Sequence, residues 1–320
     1  MKKVLLVGMV IVLSVFVLGV RADTFTTNNP SGTGAFNFNI DFVTVGDAGN
    51  AGTGGWQNTP ESLGAVAYNY KIGKTEISVA QIWAMEYSIT GDASNLYSNM
   101  AAGGQKGLKM MQYVNWLNSG CKTGGVGLLD GGVYNMTSWT TIEPWAEALQ
   151  WDNGDGTKNI WRNKNATYFL PTENELVKAA FYKGGSTNAG YWYYPTSSDT
   201  APAAEGVSAG TNSANYNGAV GAALAVGSYP NTQSPYGALD MAGNLWEACE
   251  VRYSSGTNQY IPGWNDGYIH GAAWLRGTIG FEVLQGDVSD LGFRIASVPE
   301  PATLAILTMG SLVVIRRKRS

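Results

Sequence analysis

The sequence predicts a mixed α+β domain with little regular secondary structure, in which short helices are set among small strands. Three observations carry that expectation. Glycine accounts for 42 of 320 residues, and aromatics reach 12% while charged residues supply only 14%. The apolar spacing also switches between period two and helical period within short windows. Such a chain has many turns, a large aromatic core and no long helix. It shows no internal repeat and no linker that would divide the core.

The elements follow in order. Residues 39–45 (NIDFVTV) alternate and read as a strand after a Thr-, Asn- and Gly-rich lead-in. In residues 65–77, Val66, Tyr68, Tyr70 and Ile72 fall at period two and predict a second strand. Ser78 is placed to cap a helix that carries Val79, Ile82, Trp83 and Met85. A second helix is expected over residues 108–117, stopped by Gly120 and Gly124-Gly125. The third is the clearest, with Thr172 at the N-cap, Glu175 completing a capping box and Gly184-Gly185 at its end. Residues 152–156 (DNGDG) look calcium-like. They break the EF-hand pattern at Gly154, however, and read as a solvated turn.

The two ends lie outside the fold. Lys2 and Lys3 precede an apolar stretch over residues 4–20, and Val20-Arg21-Ala22 offers small residues where a signal peptidase reads. This predicts a signal peptide over residues 1–22, in preference to a membrane anchor, because the cleavage pattern is present. At the other end, Pro299-Glu300-Pro301 precedes an apolar stretch over residues 302–315 and then Arg316-Arg317-Lys318-Arg319. That stretch is too short to span a bilayer comfortably, and the positive cluster would stay on the cytoplasmic side. Seven of the 20 Lys+Arg lie at the termini, which leaves 13 against 24 Asp+Glu, a core near −11. Such a charge argues against a nucleic-acid partner and is compatible with divalent cations. The two cysteines, Cys121 and Cys249, do not make a disulfide framework, although they could pair after export.

The three-part tail, residues 298–320, resembles the PEP-CTERM sorting signal of Gram-negative bacteria. The resemblance implies recognition by an exosortase-type membrane protease and delivery to the cell surface or extracellular matrix. Four further segments, in order, resemble the formylglycine-generating enzyme (sulfatase-modifying factor) family. They are residues 70–81 (YKIGKTEISVAQ), 169–180 (FLPTENELVKAA), 236–247 (YGALDMAGNLWE), and the pair 270–274 (HGAAW) and 291–296 (LGFRIA). The likeness spans a domain of residues 41–297, with residues 23–40 as its lead-in. It implies a single C-type-lectin-like domain of short helices around small antiparallel sheets.

The resemblance also implies calcium. In the family the turn like residues 240–247 is a calcium site. Carried over, Asp240 and Glu247 would give side-chain oxygens, and Gly243 and Leu245 backbone carbonyls. A second site would begin at Asn215 and Tyr216, though its later carboxylate is not identifiable here. Oxygen-only ligands of this kind suit Ca²⁺.

The family's oxidation of a sulfatase cysteine needs two cysteines that hold Cu(I) between the last two segments. Residues 275–291 contain none, so copper and the activity are not expected. A related three-histidine iron site cannot be built from His270, the single histidine, which is read as structural. No Ser-His-Asp set is credible either. The function expected is therefore a non-catalytic module, stabilised by calcium, that binds an extracellular polysaccharide or a surface protein. Aromatics such as Tyr191-Trp192-Tyr193-Tyr194 and Trp264 are candidates to stack on sugars. The alternatives are a formylglycine-generating oxidoreductase and a surface polysaccharide hydrolase.

Overall fold

A computed structural model describes residues 20–298 except 56–59, 106, 131, 140, 208, 254–258, 264, 267–275 and 278–290. In chain order the strands and helices are β1 (Arg21–Asn28), β2 (Ala35–Val45), β3 (Tyr70–Gly73), α1 (Val79–Thr90), α2 (Gly107–Asn118), β4 (Asn135–Ser138), β5 (Thr141–Glu143), β6 (Gln150–Asp152), β7 (Lys158–Asn163) and β8 (Tyr168–Phe169). They continue as α3 (Glu173–Phe181), β9 (Ala203–Ala204), β10 (Ser213–Ala214), β11 (Trp246–Tyr253), β12 (Gln259–Gly263), β13 (Asn265–Asp266), β14 (Arg276–Gly277), β15 (Leu291–Phe293) and β16 (Ala296–Ser297). The largest sheet runs β1-β2-β3-β16-β8, antiparallel at every pairing. A second runs β12-β11-β15, with β11 and β15 parallel.

The main sheet separates two cores because β2 alternates along its length. Phe38, Ile40 and Phe42 belong to a core shared with α1 and α2, whereas Val43 and Val45 belong to one shared with α3. Successive strand side chains point to opposite faces, so one strand serves both cores. Residues 23–40, read as a lead-in, instead form a β1–β2 hairpin joined to that sheet. Asp23 Oδ2 anchors it, accepting from Lys71 Nζ at 3.3 Å and Tyr168 Oη at 3.1 Å.

Both predicted caps form. Ser78 Oγ accepts from Gln81 N, and Gln81 Oε1 accepts from Ser78 N at 2.7 Å. Thr172 Oγ1 accepts from Glu175 N at 3.1 Å, and Glu175 Oε2 accepts from Thr172 N. Helix α3 ends at Phe181, ahead of Gly184-Gly185, because Tyr182 adopts extended backbone. The strand expected over residues 65–77 is shorter, since Asn50 fastens the chain ahead of it through Val66 N and Gly64 O. The 152–156 segment is a turn between β6 and β7 whose acids serve their own loop. Asp152 Oδ1 accepts from Gly154 N and Asp155 Oδ1 from Thr157 N. Cys121 and Cys249 are both free and buried in separate cores, so they do not pair. Among the described residues no helix is long and apolar enough to cross a membrane.

Candidate functional site

The chain turns sharply between Met241 and β11. Asp240, Gly243 and Asn244 all adopt positive φ, at 55°, 82° and 65°. Glycine is required at 243, because a Cβ there would lie 2.3 Å from the backbone oxygen of Asn215. That close approach lets Asn244 N donate to Asn215 O at 2.8 Å. The Asn244 side chain then locks the surrounding loop, its Oδ1 accepting from Leu224 N at 2.8 Å. Asn215 Nδ2 donates to Ala222 O at 2.8 Å. Together these segments enclose a mostly polar, half-open pocket of about 210 Å³ with Trp246 in its lining.

Asn244 also links the pocket to a buried charge cluster, since its Nδ2 donates to Glu76 Oε1 at 3.0 Å. Arg294, with no exposed surface, sits at the centre of the cluster. Its Nε donates to Glu247 Oε2 at 2.6 Å and its Nη2 to Glu247 Oε1, while Nη1 reaches Gly73 O at 3.0 Å. Asp240 Oδ2 accepts from Gly227 N. One guanidinium thus faces three buried carboxyls. Glu76 Oε2 and Asp240 Oδ1 are buried with no N–H donor among the described residues, and the two side chains hydrogen-bond to one another through the proton that Glu76 retains. Burial pushes the Glu76 carboxyl well above its ordinary range, and the charges of Asp240 and Glu247 push it further. Burial also raises Asp240, against the opposing pull of Gly227 N–H and Arg294.

The structure divides the expected calcium residues. Asn215, Tyr216, Gly243 and Leu245 all line the one pocket, so the two expected sites merge. Asp240 and Glu247 do not line it. Glu247 is held by the Arg294 fork through both oxygens, and Asp240 turns to Gly227 and the Glu76 side. Of the expected set Asp240, Gly243, Leu245 and Glu247, the two backbone carbonyl residues line the pocket, while the two carboxylates are engaged within the protein, Glu247 by the bidentate Arg294 guanidinium and Asp240 by Gly227 N. Among the described residues no three His, Cys, Asp or Glu side chains group to hold a metal. Sequence reasoning used Glu76 and Arg294 only as signature letters and missed them as charges. The signal for them was the single acid in residues 70–81 and the single base in the apolar segment 291–296.

Both thiols are buried and held toward the neutral form. Burial pushes Cys121 up to about 12 and Cys249 well above its ordinary range. The aromatic run is divided between core and surface. Tyr191 packs edge-on to Tyr182 at 5.1 Å, Lys183 lies over Trp192 at 4.5 Å, and Tyr193 is exposed. Trp264, His270 and most of the 275–290 segment lie outside the described residues.

Comparison with known proteins adds four findings. A family profile described as sulfatase-modifying factor enzyme 1-like domain matches residues 70–297. The PEP-CTERM protein-sorting motif matches residues 297–319. A search of curated proteins returned no match. Among solved structures, Treponema denticola variable protein 1 is similar at a TM-score of 0.50 and 17% identity, over 86% of this chain and 99% of that one. The structure of CarF gives 0.46 and 17%, over 82% and 99%. At that identity the first likeness speaks for the fold alone.

Proposed function

The chain belongs to the family of sulfatase-modifying factor enzyme 1-like domains, and from that membership we propose that it is a binding module that does not perform the family's oxidation. Its sorting motif implies export and recognition by exosortase-type machinery. The single observation that carries the non-catalytic reading is the state of the sulfur. The chain has two cysteines, each buried in a different core and each with its thiol pushed up by burial. A soft metal such as Cu(I) needs accessible thiolates or several imidazoles. Burial disfavours the thiolate form of both, and the separate cores keep the two apart.

The place of action on this reading is the cell surface or matrix, and the partner is an extracellular polysaccharide. Calcium enters in a reduced form. Asn215 Oδ1 and the carbonyls of Tyr216, Gly243 and Leu245 would hold it with neutral oxygens alone, which gives weak affinity. The test is an assay of the exported chain with Cu(I) and a cysteine-containing sulfatase peptide. No aldehyde is expected. Aldehyde formation that depends on copper and is abolished by Cys249→Ser would overturn the reading.

A further inference from the structure

We propose that the pocket between residues 215–223 and 243–246 receives one neutral sugar ring of a polysaccharide. The inference rests on the binding-module reading and names its ligand class.

Four observations lead to it. First, among the described residues no Lys, Arg, Asp, Glu or His lines the pocket. An anionic ligand would give up its hydration there without gaining a cationic partner. Second, the lining is rich in amides and bare backbone. Asn215, Asn217 and Asn244 contribute side chains, and glycines leave peptide groups uncovered. Asn244 and Asn215 are committed to the loop and give rigidity. Asn217 is exposed and held at φ 52°, and its amide makes no hydrogen bond among the described residues. A side-chain amide of that kind offers both a donor and an acceptor, which suits adjacent hydroxyls. Third, Trp246 is half-buried, packed against the core and part of the same lining. An indole edge beside amides would give a sugar ring a small apolar contact next to its hydroxyl partners.

The fourth observation is size and field. A volume of about 210 Å³ lies below the ~300 Å³ at which drug-sized sites begin, so it suits a single ring. Behind the pocket, Asn244 donates to Glu76, which stands beside Asp240 and Glu247, and Arg294 is the cation facing them among the described residues. An acidic cluster there offers no attraction to uronates, sulfates or phosphates. The negative balance of the whole chain acts in the same direction.

The test is ligand-observed NMR and calorimetry on the exported chain, in EDTA, with glucose, galactose, mannose, N-acetylglucosamine, glucuronate and tetramethylammonium as probes. At least one neutral sugar should bind with Kd on the order of 1 mM, and glucuronate should not compete. Asn217→Ala changes an exposed residue, so its fold should be intact. It should weaken binding about fivefold, the scale of one lost hydrogen bond. Trp246→Leu should abolish binding, with the circular dichroism spectrum of each variant as the control for folding. Absence of binding by every neutral sugar overturns the proposal. So does binding unchanged in Asn217→Ala, or a preference for tetramethylammonium or glucuronate. If the chain retains an intact matrix polysaccharide while Asn217→Ala has no effect, the pocket is wrong and the binding module stands. Copper-dependent aldehyde formation would instead remove the binding module itself.

Discussion

Two buried arginines organise the interior, and they are finished differently. Arg162 reaches Glu250 through Nε and Nη2, at 2.8 Å for the shortest contact, and Glu175 through Nη1 and Nη2 at 3.3 and 3.1 Å. Neutral donors complete that cluster. Tyr134 Oη and Asn159 Nδ2 donate to Glu250, and Tyr68 Oη donates to Glu175 at 2.8 Å. The guanidinium also lies 3.8 Å from the Phe169 ring centroid. Arg294 has the same kind of acidic surplus with fewer additional donors: Asn244 Nδ2 serves Glu76 and Gly227 N serves Asp240, while Glu76 Oε2 and Asp240 Oδ1 receive no N–H among the described residues. A surplus of buried acid is therefore tolerable where tyrosines and asparagines supply most of the missing donors. Where fewer do, the surplus lies beside the pocket, linked to it through Asn244. Local rules are most often broken at functional sites, which is one reason to look for function above Arg294 and for stability at Arg162.

The largest expected effect tests the Arg162 side. Arg162→Met leaves Glu175 and Glu250 buried without their cation, and should cost about 3–5 kcal/mol. Urea unfolding would show it as a lower midpoint. A loss under about 1 kcal/mol would mean that the neutral donors alone sustain the two acids.

The opposite sign is expected at Glu76. Its folded-state pKa is raised above the ordinary 4.5, first by burial and then by the Asp240 and Glu247 charges. The folded chain therefore holds that proton more tightly than the unfolded chain. The stability this contributes is full below pH ~4.5 and is lost as pH rises through the raised value. Glu76→Gln removes the titration and gives Asp240 Oδ1 a possible N–H donor. At pH 8, above the ordinary carboxyl range, it should stabilise the folded chain relative to the parent. At pH 4 it should be neutral. Thermal unfolding across that range would check both limits. Equal effects at the two ends would show that Glu76 does not titrate in the folded chain.

The smallest effect concerns calcium. Neutral oxygens at the pocket imply a dissociation constant of about 10⁻⁴–10⁻³ M. One millimolar calcium should then add only ~0.4–1.4 kcal/mol over EDTA. A much larger gain would mean that Glu247 leaves Arg294 to become a ligand, which would erase the contrast between the two arginines.

Much of the fold was legible in the sequence. The capping boxes at Ser78 and Thr172, the alternation of β2 and the three-part tail depend on residues close together in the chain. The four ordered segments pointed to the family in the same way. The hairpin partner β1 was less legible, because RADTFTTN is polar on the face it leaves outside and supplies only Phe25 and Thr27 as fully buried positions. Of the candidate site, the turn was legible: Gly243, Leu245, Asn215 and Tyr216 line one pocket, because the required glycine and its turn are local features.

What the sequence determined by itself was the set of groups that had to be satisfied: two capped helices, a glycine at 243, and more buried acid than base. Only the tertiary structure decided which acid found a donor. Glu76, Asp240, Glu247 and Arg294 come from distant segments, and hydrogen bonds and charge pairing act over a few ångströms of space. Those distances exist only after the chain has closed its sheet around them.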